Sequence, residues 1–501
     1  MNVSKLFTKQ QWRELELIAY LTDHPNKTGV KDRELSKVLD STILTLQASL
    51  ANLQLMSGIG KVHYEDSYLK IEYYDNCGLQ EVYQKALRES QALKLLSILF
   101  FKEFASLEDL AEELFISLST LKRLITRTNS YLKKEFNIFI STRPISVVGN
   151  EHNIRLFYLK YFSEAYTITE WPFESYLNKK NHERLISLLV EKTSLNINFA
   201  LFQHLKIVSG VNLIRFQKGY RINEYNNNQG KLLLNELENS KEMKDLSSLF
   251  RMKFNYYITE DVLAELFSNY LDKRIELGIS TKTVASSREV TPSPYILPSW
   301  IAVLDSFEKK LNLSISNKYN LAVHLHATVI LGQEDIGVNF LVYDYKQNYL
   351  ALLRSQYETI YSCFLNLVED LYDKNHILLD SDLRDNLLYC FFITWENFYL
   401  EMRRKQYKLK VLVIERSYNN TGNFLKRYVG EFFEVTNFEE LEVMDIDLVA
   451  IAEEYDLIVT DVIIERVEGA EILFFNSMIP TLVADRLMRL SQVFRVTNVE
   501  F

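Results

Sequence analysis

Cysteine, proline and glycine are all scarce in this 501-residue chain, at 3, 7 and 14 residues. Cys77, Cys363 and Cys390 show no CxxC spacing, which excludes a disulfide framework or a zinc ribbon. They read as small buried hydrophobes in a reducing compartment. So little glycine and proline excludes fibrous and low-complexity classes. No apolar run approaches the ~20 residues of a membrane span. The longest near the N-terminus is Leu95–Phe101, and the opening MNVSKLFTKQQW lacks a signal-peptide core. A cytoplasmic protein with no membrane partner is expected. No GxSxG, HExxH or GxGxxG is present, so no enzyme and no cofactor is expected. Gly58-Ile59-Gly60-Lys61 lacks the full GxxxxGK[ST] pattern and reads as a turn.

Apolar residues, by contrast, are plentiful, at 47% with 13% aromatics, enough for large cores. Length suggests about three to five domains. The net charge of −9 is unevenly spread. Residues 1–160 hold 21 Lys/Arg against 19 Asp/Glu, leaving 36 against 47 for the rest. Residues 408–501 alone carry 9 basic and 17 acidic side chains. Local patches, not the total, decide contact with phosphate.

The most informative stretch is Ser106–Lys134, SLEDLAEELFISLSTLKRLITRTNSYLKK. Ser106 with Asp109 reads as a capping box opening a short helix with Leu107, Leu110, Ala111 and Leu114 on one face. Phe115–Leu118 breaks the period. A second helix, from near Ser119, keeps Leu121, Leu124, Ile125, Thr128 and Leu132 inward. Outward lie Ser119, Thr120, Lys122, Arg123, Thr126 and Arg127, with Lys133 and Lys134 at the end. From Ser117 to Lys134 there are five Lys/Arg and no Asp or Glu. A short helix, a tight turn and a longer basic helix make the helix-turn-helix layout, whose second helix enters a major groove. Amphipathic helices with basic faces are also common on ordinary protein surfaces.

Around this stretch the chain repeats and then varies the theme. Gln10–Leu21, Val30–Leu39 and a third helix to about Asn52 are followed by a period-2 hairpin over Lys61–Tyr74. Three helices and a hairpin make a winged helix-turn-helix, although Ser41–Asn52 is almost free of positive charge. Its third helix reads either as a groove reader or as a packing and dimer support. Leu79–Phe101 is expected as one long helix. Phe136–Ile140 and Ile145–Val148 form a second wing, and Glu151 starts a helix to Tyr166. From Phe173 to Tyr407 the pattern is uniformly helical, over Glu183–Glu191, Phe202–Phe216, Glu260–Leu277, Tyr319–Leu331, Tyr357–Tyr372 and Ser381–Glu401. The proline-bearing, aperiodic Ser280–Ser299 divides it into two blocks. From Lys408 on, buried strands (Lys408–Ile414, Phe433–Thr436, Tyr455–Val462, Ile472–Phe475) alternate with helices, which implies a small, mostly parallel α/β sheet. The expected fold is therefore multidomain and mainly α: winged helix-turn-helix modules at 1–76 and 77–170, helical domains at 171–285 and 286–406, and an α/β domain at 407–501.

In open α/β sheets the loop after the first strand is a ligand position. Here Glu415–Gly422 offers neither cysteine nor histidine, which favours a structural version of a catalytic fold. The eight histidines are dispersed, so no metal site is expected. His204 in LFQHLKIVSG and His324 in LAVHLHATVI fall within the helical blocks. Each reads as an ordinary core or interface histidine, or as an imidazole open to phosphorylation, which brings about −1.5 to −2 charge. His324 and His326, two residues apart, point to different sides of a helix.

The strings LAEELFISLSTLKRLI, FNIFISTRPISVVGNEHNIRLF and YFSEAY resemble the Mga/AtxA family of PRD-containing virulence regulators of Gram-positive bacteria. The resemblance is most specific over about residues 90–170, and the domain order extends it over nearly the whole chain. It implies two N-terminal DNA-binding modules, two PTS-regulation domains (PRDs) and a C-terminal domain similar to enzyme IIB. It further implies double-stranded DNA as target, a homodimer or higher homo-oligomer, and phosphorylation of His204 and His324 through HPr of the sugar phosphotransferase system. The chain departs from the family pattern in LFSNYLDKRI, which has no histidine, and in the missing phosphoacceptor cysteine after the first α/β strand. Two other readings, an antiterminator-like RNA regulator and a sugar phosphotransferase component, lack an N-terminal β-rich RNA module and a catalytic cysteine respectively.

Overall fold

The computed structural model describes residues 3–24, 29–51, 53–193, 199–222, 241–254, 259–267, 293–333, 340–405, 408–416, 420–430, 432–438, 454–464 and 470–494. These form two units: 1–289 with 327–346, and 290–326 with 347–501.

In the first unit, α1 (Lys9–Asp23) opens on a true capping box, Thr8 accepting from Gln11 N while the Gln11 side chain accepts from Thr8 N. It buries Leu15, Leu17, Ile18 and Leu21. β1 (Val30–Lys31), α2 (Asp32–Val38) and α3 (Ile43–Ala51) follow, then the hairpin β2 (Gly60–Glu65) and β3 (Tyr68–Tyr73). The helix expected from Val30 starts at Asp32 instead. Val30 and Lys31 pair antiparallel with Leu69 and Tyr68, and so add a third strand in the order β1-β3-β2. Gly29 makes this pairing possible: its φ is +84°, and a Cβ there would sit 2.5 Å from Leu69 O.

The expected long helix is two helices, α4 (Leu79–Glu89) and α5 (Gln91–Phe101). Ser90 breaks it at φ −60°, ψ 121°. Its hydroxyl donates to Leu6 O at 2.5 Å and accepts from Leu93 N, so the break is a buried cap. Periodicity cannot register such a break, because the apolar face continues through it. Next come α6 (Leu107–Glu113), α7 (Leu118–Glu135), the hairpin β4 (Ile138–Thr142) and β5 (Ile145–Gly149), and α8 (Glu151–Ala165), capped by Asn150. One core runs from Val3 through these elements into α9 (Lys179–Thr193) and α10 (Phe199–Gln217). α11 (Lys241–Phe254) and α12 (Glu260–Phe267) follow among the described residues of this unit. Residues 268–277 of the expected Glu260–Leu277 helix, and most of Ser280–Ser299, lie outside the described residues.

A buried charged network ties α8 to α10 and α12. Arg155 donates to Glu151 at 2.9 Å and to Glu265 at 2.6 Å, and Arg215 to Glu151 at 2.5 Å. Two cations and two anions balance, and Arg155, Arg215 and Glu265 are all buried. A second link comes from residues 340–344. Leu341 is 2% exposed within the main core, and Tyr343 stacks on Tyr83 of α4 at 4.6 Å. Glu164 of α8 accepts the backbone N–H groups of Leu341, Val342 and Tyr343.

The second unit contains α13 (Leu297–Leu311), most of α14 (Lys318–Gln333) and α15 (Tyr345–Gln356), then α16 (Glu358–Lys374), α17 (Ser381–Thr394) and α18 (Phe398–Lys405). The expected Ser381–Glu401 helix breaks at Trp395–Asn397, where Asn397 has φ +62°. Phe307, Phe364, Phe391 and Trp395 build its aromatic core, with Phe364 and Phe391 stacked at 3.8 Å. The C-terminal strands are β6 (Leu409–Ile414), β7 (Phe433–Asn437), β8 (Leu457–Thr460) and β9 (Glu471–Phe474), with α19 (Thr421–Tyr428) and α20 (Pro480–Phe494). They form a parallel sheet in the order β7-β6-β8-β9. No helix among the described residues is long and apolar enough to cross a membrane.

Candidate nucleic-acid interface

The second winged module positions its reader from one side. Ser106 caps α6 by accepting from Asp109 N, the N-cap half of the expected box. Phe115, in the turn, has φ +54° and is 94% exposed. α7 begins one residue earlier than expected, because Ser117 accepts from Thr120 N and serves as its cap. Leu121, Leu124, Ile125, Thr128 and Leu132 are buried, joined by Tyr131.

On the opposite face, Ser119, Lys122, Arg123 and Thr126 are exposed, as are Lys133 and Lys134, while Thr120 is half-buried. Their uses differ. The Thr126 hydroxyl donates back to Lys122 O, so its proton is spent within the helix. Lys133 stands 5.2 Å over the Phe139 ring of the wing, and Lys134 lies 4.0 Å from Glu135. Arg127 departs from the expected outward face. It is half-buried, its Nε has no hydrogen-bond partner, and burial pulls its pKa below the usual guanidinium value. Lys122 and Arg123 therefore form the open cationic pair.

Two elements of this module carried no periodic signal. Asn129, mid-helix in α7, clamps the wing: its Nδ2 donates to Ile140 O at 3.0 Å and its Oδ1 accepts from Ile140 N at 2.7 Å. A polar amide in a helix interior is the available clue. Arg143 is exposed at the wing tip between β4 and β5. The acidic residues of α6 stand on a separate helix, where Glu113 pairs with Lys102 at 2.6 Å.

The first module has the same layout with opposite chemistry. α3 carries no charged residue, and the β2–β3 turn exposes Glu65 and Asp66. Leu44 is 77% exposed, and Gln47 is exposed one turn later.

The other candidate residues belong to other elements. His204, on α10, is half-buried, and burial pushes its pKa down to about 4. His324, on α14, is exposed, and partial desolvation lowers its pKa too. After β6, Glu415 Oε1 accepts from Gly422 N at 3.1 Å, and Arg416 N donates to Asp461 Oδ1 at 2.7 Å. This loop fills its own helix N-terminus with a carboxylate, the position an anion takes in open α/β sheets. Residues 417–419 lie outside the described residues. No cluster that could hold a metal occurs among the described residues.

Two winged helix-turn-helix modules, one with a basic second helix that carries no carboxylate from Leu118 to Lys134, define a DNA-binding transcriptional regulator. Comparison with known families agrees. Residues 8–67 match the M protein trans-acting positive regulator (MGA) HTH domain, 75–162 the Mga helix-turn-helix domain, and 178–369 the MGA PRD domain. A protein named as a trans-acting regulator from Streptococcus pneumoniae serotype 4 is 26% identical over 94% of this chain and 96% of its own length. The capsule synthesis positive regulator AcpB of Bacillus anthracis is 31% identical over 27% of this chain and 28% of its own. AcpA of the same organism is 27% identical over 22% of each chain. The chain belongs to the Mga/AtxA-like family of PRD-containing regulators.

Proposed function

We propose that this protein is a cytoplasmic, non-enzymatic activator of virulence- or capsule-type genes that grips duplex DNA through its second winged module. The open cationic face of α7 carries this reading. Lys122 and Arg123 supply the main phosphate or base-edge contacts, with Ser119, Thr120, Thr126, Arg127, Lys133 and Lys134 beside them. The names of the B. anthracis relatives, both positive regulators, support activation. We assign the chain as DNA-binding domains 1–76 and 77–170, PRD-like domains 171–285 and 286–406, and an enzyme IIB-like domain 407–501. The parallel β7-β6-β8-β9 order supports the last assignment. The Glu415-filled loop fits a structural rather than a phosphotransfer role. The protein acts as a homodimer or larger homo-oligomer, and HPr phosphorylates His204 and His324. Both rings have lowered pKa values through burial, so each stays in the neutral form that accepts a phosphoryl group.

The test is duplex affinity against salt concentration for Lys122→Ala/Arg123→Ala. Removing two phosphate contacts lowers affinity and flattens the log–log slope by about 2. An unchanged slope refutes the assignment. Labelling by phosphorylated HPr, compared with His204→Ala and His324→Ala, tests the phosphorylation sites; identical labelling of all three proteins removes them.

A further inference from the structure

The first module poses a question that the second does not. A helix without charge and a wing tipped by Glu65 and Asp66 are poorly suited to gripping phosphate. Yet α3 presents a prepared pair of side chains. Leu44 is 77% exposed at its start, and Gln47 stands exposed one turn on.

Gln47 is held in one orientation by a relay. Tyr64 of β2 donates its hydroxyl proton to Asp32 Oδ2 at 2.8 Å. Asp32 is 7% exposed, and its own N–H donates to Ser67 O at 2.9 Å. With its single proton spent, the Tyr64 oxygen can only accept, and it accepts from Gln47 Nε2 at 3.3 Å. A flipped amide would set Oε1 against the Tyr64 lone pairs. The relay therefore leaves Gln47 Oε1 and its second N–H available, and Gln47 makes no other hydrogen bond among the described residues. An acceptor and a donor held side by side on an exposed face match the N6–H and N7 edge of adenine in the major groove. An exposed apolar side chain one turn earlier matches the thymine C5-methyl.

We infer that α3 reads A·T base pairs through Gln47 and Leu44, with Tyr64 and Asp32 as positioning residues, while α7 supplies the electrostatic grip. This goes beyond the phosphate contacts proposed for α7 and rests on the protein's binding of duplex DNA.

The experiment is selection of bound sequences from a random duplex library with the full-length protein, followed by salt-dependent affinity on the selected duplex. Gln47→Ala and Leu44→Ala each lower the preference for one A·T position by about tenfold, with the salt slope unchanged. Gln47→Glu moves that preference from adenine toward cytosine, whose N4 donor suits a carboxylate. Tyr64→Phe removes the acceptor and broadens the preference at the Gln47 position, an effect that a merely structural tyrosine does not produce. All three side chains substituted are at the surface, so matched melting temperatures are expected. Identical sequence profiles for wild type and the Gln47 variants overturn the inference. So does reduced transcription with an unchanged profile, which assigns the face to a protein partner. Absence of duplex binding by the wild type is a different failure, that of the DNA-binding reading itself.

Discussion

Glu164 is a buried carboxyl, and it sits where residues 340–344 dock. Burial pushes its pKa up to about 8, against the opposing pull of the Val342 and Tyr343 backbone N–H groups. Lys160, on the same helix, also pulls it down, while Asp344 on the docked segment pushes it up. From a solution value of 4.5 this corresponds to on the order of 5 kcal/mol between protonation states. The sign follows from linkage. The docked state holds the proton to higher pH than the undocked state. Docking is therefore strongest below about pH 4.5, and weakens as pH rises until Glu164 ionises in place near 8. Between about pH 5.5 and 7.5 the opening equilibrium should increase roughly tenfold per pH unit, about 1.4 kcal/mol each. Hydrogen exchange at Leu341, Val342 and Tyr343, corrected for intrinsic exchange, measures it. Glu164→Gln should abolish the slope, because the amide does not titrate. Glu164→Ala leaves three N–H groups without their acceptor and should lower protection by about 3 kcal/mol, or some 150-fold. A wild type whose opening free energy is flat from pH 6 to 8, or a Gln variant that keeps the slope, refutes the argument.

Three further outcomes can be checked on the same protein. Arg155→Met leaves buried Glu265 and half-buried Glu151 with one cation fewer, and should cost about 3–5 kcal/mol in denaturant unfolding. His182 is 1% exposed and hydrogen-bonded to Ser209 Oγ, and burial pushes its pKa down to about 4. The unfolded state therefore binds its proton first, and up to ~3 kcal/mol of stability is lost as pH falls from 6.5 toward 4. His182→Asn should flatten that limb of the stability–pH curve. Asn129→Ala removes both hydrogen bonds to Ile140 and should raise exchange at the Ile140 amide by about ten- to a hundredfold, with weaker DNA affinity because the wing is less fixed.

Much of this architecture was legible from spacing alone, and the misses share a cause. The α6–turn–α7 layout, both hairpins and the parallel C-terminal strands follow from apolar period, which reports the face an element buries. Period says nothing about a break that leaves the buried face continuous. Ser90 splits α4 from α5 through a hydroxyl that reaches Leu6, 84 residues away in sequence, and no local pattern encodes that partner. Val30–Lys31 left its helix for the same reason, since its pairing partner is β3. At the site, polarity identified the outward face of α7 but not which cations are open: Arg127 turns partly inward, and only packing decides that. Gln47 was passed over because α3 lacks charge. Charge locates phosphate contacts, whereas a base edge can also be read by a neutral donor and acceptor held in place. Such preparation comes from residues distant in sequence, as Asp32 and Tyr64 are from Gln47. A reader module can therefore look inert in sequence when its specificity resides in orientation rather than charge.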